Sequence, residues 1–422
     1  MATEPANSIL MPTAPVIEPA WRSPGNPIRR VLIIAYSHYI FDARVKRHAE
    51  ALAERGYAVE VICLADQHEP RESVRIVGIP ALRYRGHSRA EYLRQYIRFF
   101  AEATYLAAKL HRRQRYDVVI VCSMPDAAIV AGLIPKLGGS KLVLDMHDTM
   151  PELYHDKFPG TFGAIGAAAL RLEERVSARM ADLVFAVHDL HAARLESNGI
   201  PRAKIVVLVN APDPRLFDPQ DPPGQNNFDD FTVVTHGTIN RRLGLDTAVE
   251  AINLVRNQIP NIKFRIIGPG EHRESVRIRA HRLDLDSIIQ FEDGVPLETL
   301  ARALRGASVG LVPNEATAAT ELMLPVKLLE YVSLGIPVIA SSLRTIRHYF
   351  PDNAICYFQP ASPQSLAEGL LNLFLHPEKR HALTVRGAEA LKAICWETQR
   401  NTLCATVQSL ITGEPFGSVA AG

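Results

Sequence analysis

The chain has 422 residues, 47% of them hydrophobic and 22% charged, and its formal net charge is +2. These values are typical of a globular enzyme with two domains, and so small a charge does not favour nucleic acid as a partner. The cysteines form no Cys-x-x-Cys pair, which argues against a zinc site and against a disulfide framework.

We find no transmembrane pattern in the sequence and no convincing signal peptide at its N-terminus. The sequence has no apolar run of the ~18 residues that a transmembrane helix needs. Residues 1–28 are rich in proline and small residues but lack the basic and apolar regions of a signal peptide. We therefore expect a disordered leader and a cytoplasmic protein.

A strand-helix-strand unit opens the first half of the chain. Apolar strands are predicted at 30–36 and 59–64, with an amphipathic helix between them that ends at Gly56. Asp42 has the position of a helix N-cap. This order predicts a doubly wound parallel sheet. The first turn has no Gly-x-Gly-x-x-Gly, which argues against a nicotinamide dehydrogenase.

A basic segment follows at 83–115, where arginine and lysine far outnumber glutamate and aromatic residues are interleaved. A basic amphipathic helix with aromatic residues is typical of a protein that binds an anionic membrane surface. The same pattern is also expected of a core-packing helix with a solvated arginine face. The sequence alone leaves both interpretations open.

Polar residues come directly after a buried strand at 141–146, where doubly wound sheets place their ligands. His147, Asp148 and Glu152 are the candidates. The alternatives are a structural hydrogen-bonded pair for the first two and a helical first turn for Glu152. Further strands and helices of this half are predicted at 117–122, 164–180, 183–187, 189–198 and 204–209.

The second half of the chain repeats the alternation of strands and helices after a proline- and aspartate-rich linker at 211–230. A strand at 232–235 is followed by a polar turn, and a strand at 264–267 ends in Gly268-Pro269-Gly270. That loop either forms a tight turn only or makes room for a nucleotide base. We place the domains at 29–210 and 231–395, with a terminal helix and tail at 396–422 that return to the first domain.

The stretch 324–342 is predicted to form a short helix that ends at a glycine, followed by a buried strand. Pro325 suits the first helical position, and a helix start exposes backbone N–H groups that attract anions. Lys327 lies in that first turn and Glu330 one turn later, an order that suits a phosphate followed by a ribose. An ordinary amphipathic helix is the alternative.

Four blocks, spread over about 30–400, resemble those of the family 4, or group 1, GT-B glycosyltransferases of bacterial polysaccharide biosynthesis. The blocks are Asp42-Ala43-Arg44-Val45, Asp145-x-His147-Asp148-x-x-Pro151-Glu152, His236-Gly237-Thr238-Ile239 with Arg242-x-Gly244, and Leu324-Pro325-x-Lys327-Leu328-Leu329-Glu330. The resemblance implies two Rossmann-like domains that face an interdomain cleft. It also implies a retaining transfer of a hexose-type sugar from a nucleotide diphosphate sugar, UDP- or GDP-linked.

The resemblance also implies site residues. His147, Arg242 and Lys327 would be catalytic. The donor would contact Gly237, Thr238, Arg242, Gly268, Gly270, Val295, Pro325, Lys327, Leu328 and Glu330. The acceptor, a glycan or a polyprenyl-diphosphate-linked glycan, would contact His38, Asp42, Arg44, Asp148 and Glu152. We expect no cofactor and no catalytic metal, because fixed cations and a helix N-terminus can stabilise the leaving diphosphate.

One position departs from the family pattern. The first glutamate of the Glu-x7-Glu motif would fall at 322, which is Leu322, while Glu321 comes one residue too early. The alternatives to a transferase are a GT-B sugar-nucleotide epimerase, a glycan phosphorylase and a non-catalytic protein that binds sugar nucleotides or glycans.

Overall fold

The computed structural model describes residues 28–65, 73–80, 89–123, 125–219 and 230–414. They form two parallel sheets, each covered by helices on both faces, and the expected pair of Rossmann-like domains facing a cleft is confirmed. The leader predicted at 1–28 lies outside the described residues except for Ile28.

The N-terminal sheet has seven parallel strands in the order β3-β2-β1-β4-β5-β6-β7. The strands are β1 Arg30–His38, β2 Ala58–Leu64, β3 Val74–Ile79, β4 Val118–Cys122, β5 Lys141–Asp145, β6 Leu183–Ala186 and β7 Ile205–Val207. The helices are α1 Ala43–Glu54, α2 Arg89–Arg113, α3 Leu133–Leu137, α4 Met150–Lys157, α5 Thr161–Met180 and α6 Asp189–Ser197. A 3-10 helix, Asp126–Gly132, precedes α3.

The C-terminal sheet has six parallel strands in the order β10-β9-β8-β11-β12-β13. The strands are β8 Phe231–His236, β9 Ile262–Ile267, β10 Ile289–Glu292, β11 Val309–Val312, β12 Val338–Ser341 and β13 Cys356–Phe358. The helices are α7 Leu245–Val255, α8 Arg273–Arg282, α9 Leu297–Leu304, α10 Val326–Ser333, α11 Arg344–Tyr349, α12 Pro363–Leu375, α13 Pro377–Lys392 and α14 Trp396–Thr412.

The strands are buried on both faces, which explains their unbroken apolar sequences. In the N-terminal domain, one face of the sheet packs against α2, the 126–137 segment, α5 and α6, and the other packs against α1 and α14. Helix α1 begins at the predicted cap, where the Asp42 carboxylate accepts the Val45 N–H at 3.1 Å.

Helix α14 returns to the N-terminal domain through Trp396. His48 stacks on the indole ring at 6.2 Å between centroids, and the Arg47 guanidinium lies 5.5 Å from its centroid. Gln399 accepts the Val209 N–H at 2.8 Å. The last helix of the chain therefore completes the core of the first domain.

Two short strands and two short helices were missing from the prediction. They are β3, β13, α9 and α11. Both strands lie at a sheet edge. Strand β13 has only three residues, and the apolar sequence of β3 is interrupted by Arg75 and Gly78, so neither shows a clear strand pattern.

Candidate functional site

The two domains enclose a cavity of about 470 Å³ at the carboxyl ends of their strands. Its N-terminal wall carries residues that follow β1, β5, β6 and β7, and its C-terminal wall carries the segment that leads into α10. Predicted site residues that line it are His38, Asp42, Arg44, His147, Asp148 and Pro325.

A buried ionic network supports the N-terminal wall. Arg44 donates to both carboxylate oxygens of Asp145, from Nη2 at 2.5 Å and from Nε at 3.1 Å. His147 contacts the same carboxylate through Nε2 at 3.2 Å, and His48 Nδ1 lies 3.5 Å from it. Since a carboxylate only accepts hydrogen bonds, Nε2 of His147 carries the proton and Nδ1 is the acceptor nitrogen when the ring is neutral.

The network fixes the charge states of its members. Burial alone would raise the pKa of Asp145, but Arg44 and His147 outweigh it and hold that pKa well below its usual range. Burial, with help from the neighbouring arginines, lowers the pKa of His48 to about 3, so that this ring is neutral. Asp145 therefore stays ionised, and its hydrogen bond holds the His147 ring in the wall of the cavity.

Arg44 both supports and lines the cavity wall. Its guanidinium is buried and bound to Asp145 through Nε and Nη2, while Nη1 has no hydrogen-bond partner among the described residues. Arg44 therefore positions His147 through Asp145, and its contact with the acceptor stays a prediction.

Cys122, Asp145 and His147 form the one group among the described residues whose ligand atoms are close enough to hold a metal ion. Its chemistry does not favour a metal. The Arg44 guanidinium already occupies both oxygens of Asp145, and burial raises the pKa of the Cys122 thiol well above its ordinary value. A cation would have to displace Arg44.

Glu152 does not lie on the cavity. Arg194 donates to Glu152 Oε1 from Nε at 3.1 Å and from Nη2 at 3.0 Å, and also pairs with Glu174. The acceptor-binding role expected for Glu152 is therefore not supported. The carboxylate instead ties α4 to α6, consistent with its position in the first turn of α4.

The C-terminal wall begins with α10. Pro325 is the N-cap rather than the first helical residue, and Val326 follows it. The Leu328 N–H bonds to the Pro325 carbonyl at 3.0 Å. Proline has no N–H, so the anion cradle expected at 325–328 is reduced to the N–H groups of Val326 and Lys327.

Lys327 extends from α10 over the loop that follows β8. Its Nζ lies 3.9 Å from the point where a side chain at Gly237 would begin, and a small cavity there is lined by Gly237, Thr238 and Lys327. No hydrogen-bond or ion-pair partner for its ammonium occurs among the described residues. Burial lowers the pKa of Lys327 to about 8, against the opposing effect of Glu330.

Glu330 belongs to a hydrogen-bond chain that the sequence did not reveal. His236 Nε2 donates to Glu330 Oε2 at 2.7 Å, and the Tyr331 hydroxyl donates to His236 Nδ1 at 2.9 Å. The chain fixes the carboxylate on the buried side of α10. The sequence signals for His236 were its position at a strand end and its place in the His236-Gly237-Thr238-Ile239 block, and neither indicated a bond to Glu330.

Arg242 lies in a 3-10 turn, Arg241–Leu243, that ends at Gly244. Gly244 has φ +67°, and a Cβ there would lie 1.8 Å from the Pro313 carbonyl oxygen, so the turn requires glycine. The Arg242 Nε is buried and has no hydrogen-bond partner among the described residues. Burial raises the pKa of the Asp148 carboxyl, and the positive charge of Arg242 across the cleft lowers it by a smaller amount.

Six predicted donor contacts line neither cavity: Arg242, Gly268, Gly270, Val295, Leu328 and Glu330. Cβ atoms at Gly268 and Gly270 would lie 2.2 Å and 2.1 Å from the carbonyl oxygens of Gly237 and Ile239, so both glycines allow two loops to pack closely. Val295 is exposed beyond β10. The glycines thus support the loop beneath Lys327, and the structure does not bring Val295 to the site.

The departure at 322 has a structural basis. The Glu321 carboxylate accepts the Arg344 N–H at 2.6 Å, at the start of α11, while Leu322 lines the cavity. His188, which the sequence analysis missed, bonds through Nε2 to the Leu322 carbonyl at 2.9 Å. Burial lowers the pKa of His188 to about 4, so that it donates as a neutral ring.

Other contacts also hold the domains together around the cavity. Lys46 pairs with Glu298 at 3.0 Å, and Asp156 accepts the Ala319 N–H at 3.0 Å. Asp189 accepts the Tyr349 hydroxyl at 2.6 Å. These contacts place the N-terminal wall opposite the start of α10.

Comparison with known families adds to this geometry. The family described as "Glycosyl transferase 4-like domain" matches residues 42–211, and "Glycosyl transferases group 1" matches residues 230–376. The chain belongs to the group 1 GT-B glycosyltransferases. The first matched region contains every strand of the N-terminal sheet except β1, and the second contains every strand of the C-terminal sheet.

Similar curated members of this glycosyltransferase family act in polysaccharide synthesis, according to their names. A putative colanic acid biosynthesis glycosyltransferase of Escherichia coli is 27% identical over 39% of this chain and 40% of its own length. The amylovoran biosynthesis glycosyltransferase of Erwinia amylovora is 24% identical over 46% and 47%. The matches span less than half the length of these relatives.

Several solved structures share the fold over most of the chain. Sucrose-phosphate synthase from Thermosynechococcus elongatus superposes with a TM-score of 0.71, covering 92% of this chain and 100% of its own, at 17% identity. Anabaena HepE in complex with UDP-glucose gives 0.67, covering 90% and 99%, at 15% identity. WaaG, a lipopolysaccharide-biosynthesis glycosyltransferase, gives 0.68, covering 91% and 100%, at 16% identity.

Proposed function

We propose that the protein is a retaining glycosyltransferase of surface polysaccharide biosynthesis. It would move a hexose-type sugar from a nucleotide diphosphate sugar to a glycan or a polyprenyl-diphosphate-linked acceptor. Family membership and the names of the relatives support a transferase of this kind. The UDP-glucose complex of HepE supports a nucleotide-sugar donor by analogy of fold.

The observation that carries the proposal is the pair of cations on the C-terminal side of the cleft. Neither Lys327 Nζ nor Arg242 Nε has a hydrogen-bond partner among the described residues. The N–H groups of Val326 and Lys327 open α10, and Arg242 lies near enough to Asp148 to act on its carboxyl. Most cations elsewhere in the described chain pair with carboxylates or carbonyls. Unpaired cations at a helix start form a site for a diphosphate.

The chemistry follows from where charge develops. Breaking the sugar–phosphate bond leaves negative charge on the diphosphate and positive charge on the sugar ring. Arg242, Lys327 and the start of α10 stabilise the first without reorganisation. Glu330, held by His236, is placed to accept a ribose hydroxyl. We propose a metal-independent reaction with no cofactor, in which these fixed cations supply the charge neutralisation.

His147 would act on the sugar side. Asp145 holds its Nε2–H, which leaves Nδ1 to accept a hydrogen bond from a sugar hydroxyl on the N-terminal side of the cavity. Asp148, His38 and Asp42 line the same wall and would bind the acceptor. In a retaining transfer the leaving phosphate oxygen can accept the proton of the acceptor hydroxyl, so no side-chain base is required.

A thermal-shift screen tests the donor proposal. A specific ligand stabilises the folded protein by an amount that grows with the logarithm of its concentration over its dissociation constant, so UDP, GDP and their sugars can be compared at equal concentration. We expect a nucleotide diphosphate to stabilise the protein equally with and without Mg²⁺. A strict Mg²⁺ requirement would contradict the metal-independent reaction.

Product analysis separates the alternatives. A transferase yields a glycosylated acceptor with retained anomeric configuration, and an epimerase converts the sugar nucleotide with no acceptor present. The replacement of the motif glutamate by Leu322 favours one alternative, a protein that binds the sugar nucleotide without turnover. Binding of UDP with no transfer to any glycan or lipid-linked acceptor would support that alternative.

A further inference from the structure

The two walls of the main cavity differ in polarity. Of the described residues that line it, every one with a polar side chain belongs to the N-terminal domain, His147 and Asp148 among them. The C-terminal domain contributes residues 322–326 together with Ala319 and Leu329, and all of these are apolar. We call this second set the apolar wall.

Part of the apolar wall lies outside the core of its domain. Leu324 and Leu329 pack in the hydrophobic cluster around α10, whereas Leu322 and Val326 are half-buried and lie outside that cluster. Both of these residues line the cavity. Their remaining accessible surface is therefore available to a ligand rather than used to fill the protein interior.

The polar side chains beside Leu322 are committed to the protein. The Glu321 carboxylate accepts the Arg344 N–H at 2.6 Å. The Thr320 hydroxyl is fully buried and donates to the Glu315 carbonyl at 2.5 Å. The turn that precedes α10 thus keeps its polar side chains within the C-terminal domain and places its apolar ones on the cavity.

The backbone of this turn is also hydrogen-bonded. The N–H groups of Leu322 and Met323 donate to the carbonyls of Ala319 and Thr320, each at 3.1 Å. The Leu322 carbonyl accepts His188 Nε2 at 2.9 Å. A ligand hydroxyl placed against Leu322 would find these polar groups already paired, and a hydroxyl buried without a partner is unfavourable.

The position of the apolar wall relates it to the donor sugar, and here the argument rests on the proposed function. Pro325 and Val326 line the cavity and also open α10. A sugar attached to a diphosphate at this helix start would enter the cavity between the apolar wall and His147. Its hydroxyl groups would then have partners mainly on the N-terminal side.

Sugar chemistry narrows the group that the apolar wall can take. Removal of a ring hydroxyl from a hexose leaves a CH₂ within the ring, whereas removal of the C6 hydroxyl leaves a methyl group that projects from C5. An N-acetyl group also ends in a methyl, but its amide N–H and carbonyl need partners that this turn has already used. The projecting methyl of a 6-deoxyhexose fits the wall best.

We infer that the donor carries a 6-deoxyhexose, whose C6 methyl group packs against Leu322 and Val326 while its ring hydroxyls face the N-terminal wall. Burial of this methyl is favourable, and burial of a C6 hydroxyl at the same place is not. Leu322 in place of the motif glutamate is then a determinant of sugar specificity and not a sign of lost turnover.

Binding of matched donor pairs to the full-length protein tests the inference without an acceptor. The pairs are UDP-glucose with UDP-6-deoxyglucose, UDP-galactose with UDP-6-deoxygalactose, and GDP-mannose with GDP-6-deoxymannose. In calorimetric titrations, the 6-deoxy sugar of at least one pair should bind ~10-fold or more tightly than its parent, because an apolar site discriminates against an added hydroxyl to about this extent. A smaller preference in all three pairs, or tighter binding of UDP-N-acetylglucosamine than of every 6-deoxy sugar, would overturn the inference.

Two substitutions of similar volume separate polarity from shape at position 322. Leu322→Gln supplies a partner for the hydroxyl and should bring the two sugars of the preferred pair within ~2-fold of each other, whereas Leu322→Met keeps the surface apolar and should retain the preference. An undiminished preference in a folded Leu322→Gln variant would overturn the role of Leu322.

Titrations of the wild-type protein with free UDP and GDP separate this failure from that of the proposed function. If neither nucleotide binds, the proposed function itself is contradicted. If a nucleotide binds but its 6-deoxy sugar has no advantage over the parent, only the inference about the sugar is refuted.

Discussion

Asp145→Asn is expected to destabilise the N-terminal domain by about 3–5 kcal/mol, because it removes one partner of a buried ion pair. Arg44 is 3% exposed and Asp145 is 0% exposed, with bonds of 2.5 and 3.1 Å between them. The variant would leave a buried guanidinium without its counter-charge. The isosteric amide keeps the volume, so the loss reports on charge rather than on a cavity.

Trp396 makes the assay specific for this domain. It is the one tryptophan among the described residues, and it stacks on His48, which itself lies beside Asp145. The chain also contains Trp21, so guanidinium unfolding is followed by tryptophan fluorescence in a Trp21→Phe background, where the signal reports on the affected core. Glu102→Gln, which breaks the exposed pair with Arg98, is the matched control and should cost only about 0.3–0.5 kcal/mol.

The pH dependence gives a second observable. The folded pKa of Asp145 is held well below its usual range, so its contribution is fully present above the unfolded value near ~3.9 and is lost as pH falls below it. Asp145→Asn should therefore flatten the acid limb of the stability curve. A loss below about 1 kcal/mol at neutral pH would refute the buried network as the support of His147.

Three further predictions concern the C-terminal wall. Nucleoside diphosphate binding by the wild-type protein should weaken about tenfold between pH ~7 and ~9, because Lys327, whose pKa is lowered to about 8, loses its proton in this range. In calorimetric titrations, Lys327→Arg should abolish this pH dependence. Leu322→Glu should leave UDP affinity unchanged but raise the affinity for UDP-sugars relative to UDP by ~5–10-fold, and an unchanged ratio in competition assays would contradict a sugar subsite there. Gly244→Ala should lower the free energy of unfolding by about 1–3 kcal/mol and weaken diphosphate binding, because the added Cβ would clash with Pro313 and displace the Arg242 turn. Wild-type values for both the free energy of unfolding and the diphosphate affinity would contradict this.

The sequence was sufficient for the features that depend on local pattern. The apolar strand predicted at 30–36 and the helices predicted at 164–180 and 189–198 could be recognised from their periodicity, and the Asp42 cap from its residue type. The doubly wound plan follows from their order. The Lys327 and Glu330 positions followed from one contiguous stretch.

The remainder depends on contacts between residues far apart in the chain. Arg44 meets Asp145 across 101 positions, and Glu152 meets Arg194 across 42, so neither pairing has a local signal. His188 reaches Leu322 only because the domains face one another. The sequence could therefore name candidate residues but could not separate those that face the cavity from those that hold its walls.

The central claim is that Arg242 and Lys327 form the diphosphate site of a sugar transferase, and Arg242→Ala tests it most directly. With the donor and acceptor identified by screening, initial rates of transfer should fall at least a hundredfold in this variant, as expected for loss of a fixed charge in the transition state. Far-UV circular dichroism and the Trp396 unfolding midpoint should stay at wild-type values. Full transfer activity in a correctly folded Arg242→Ala variant would contradict the account.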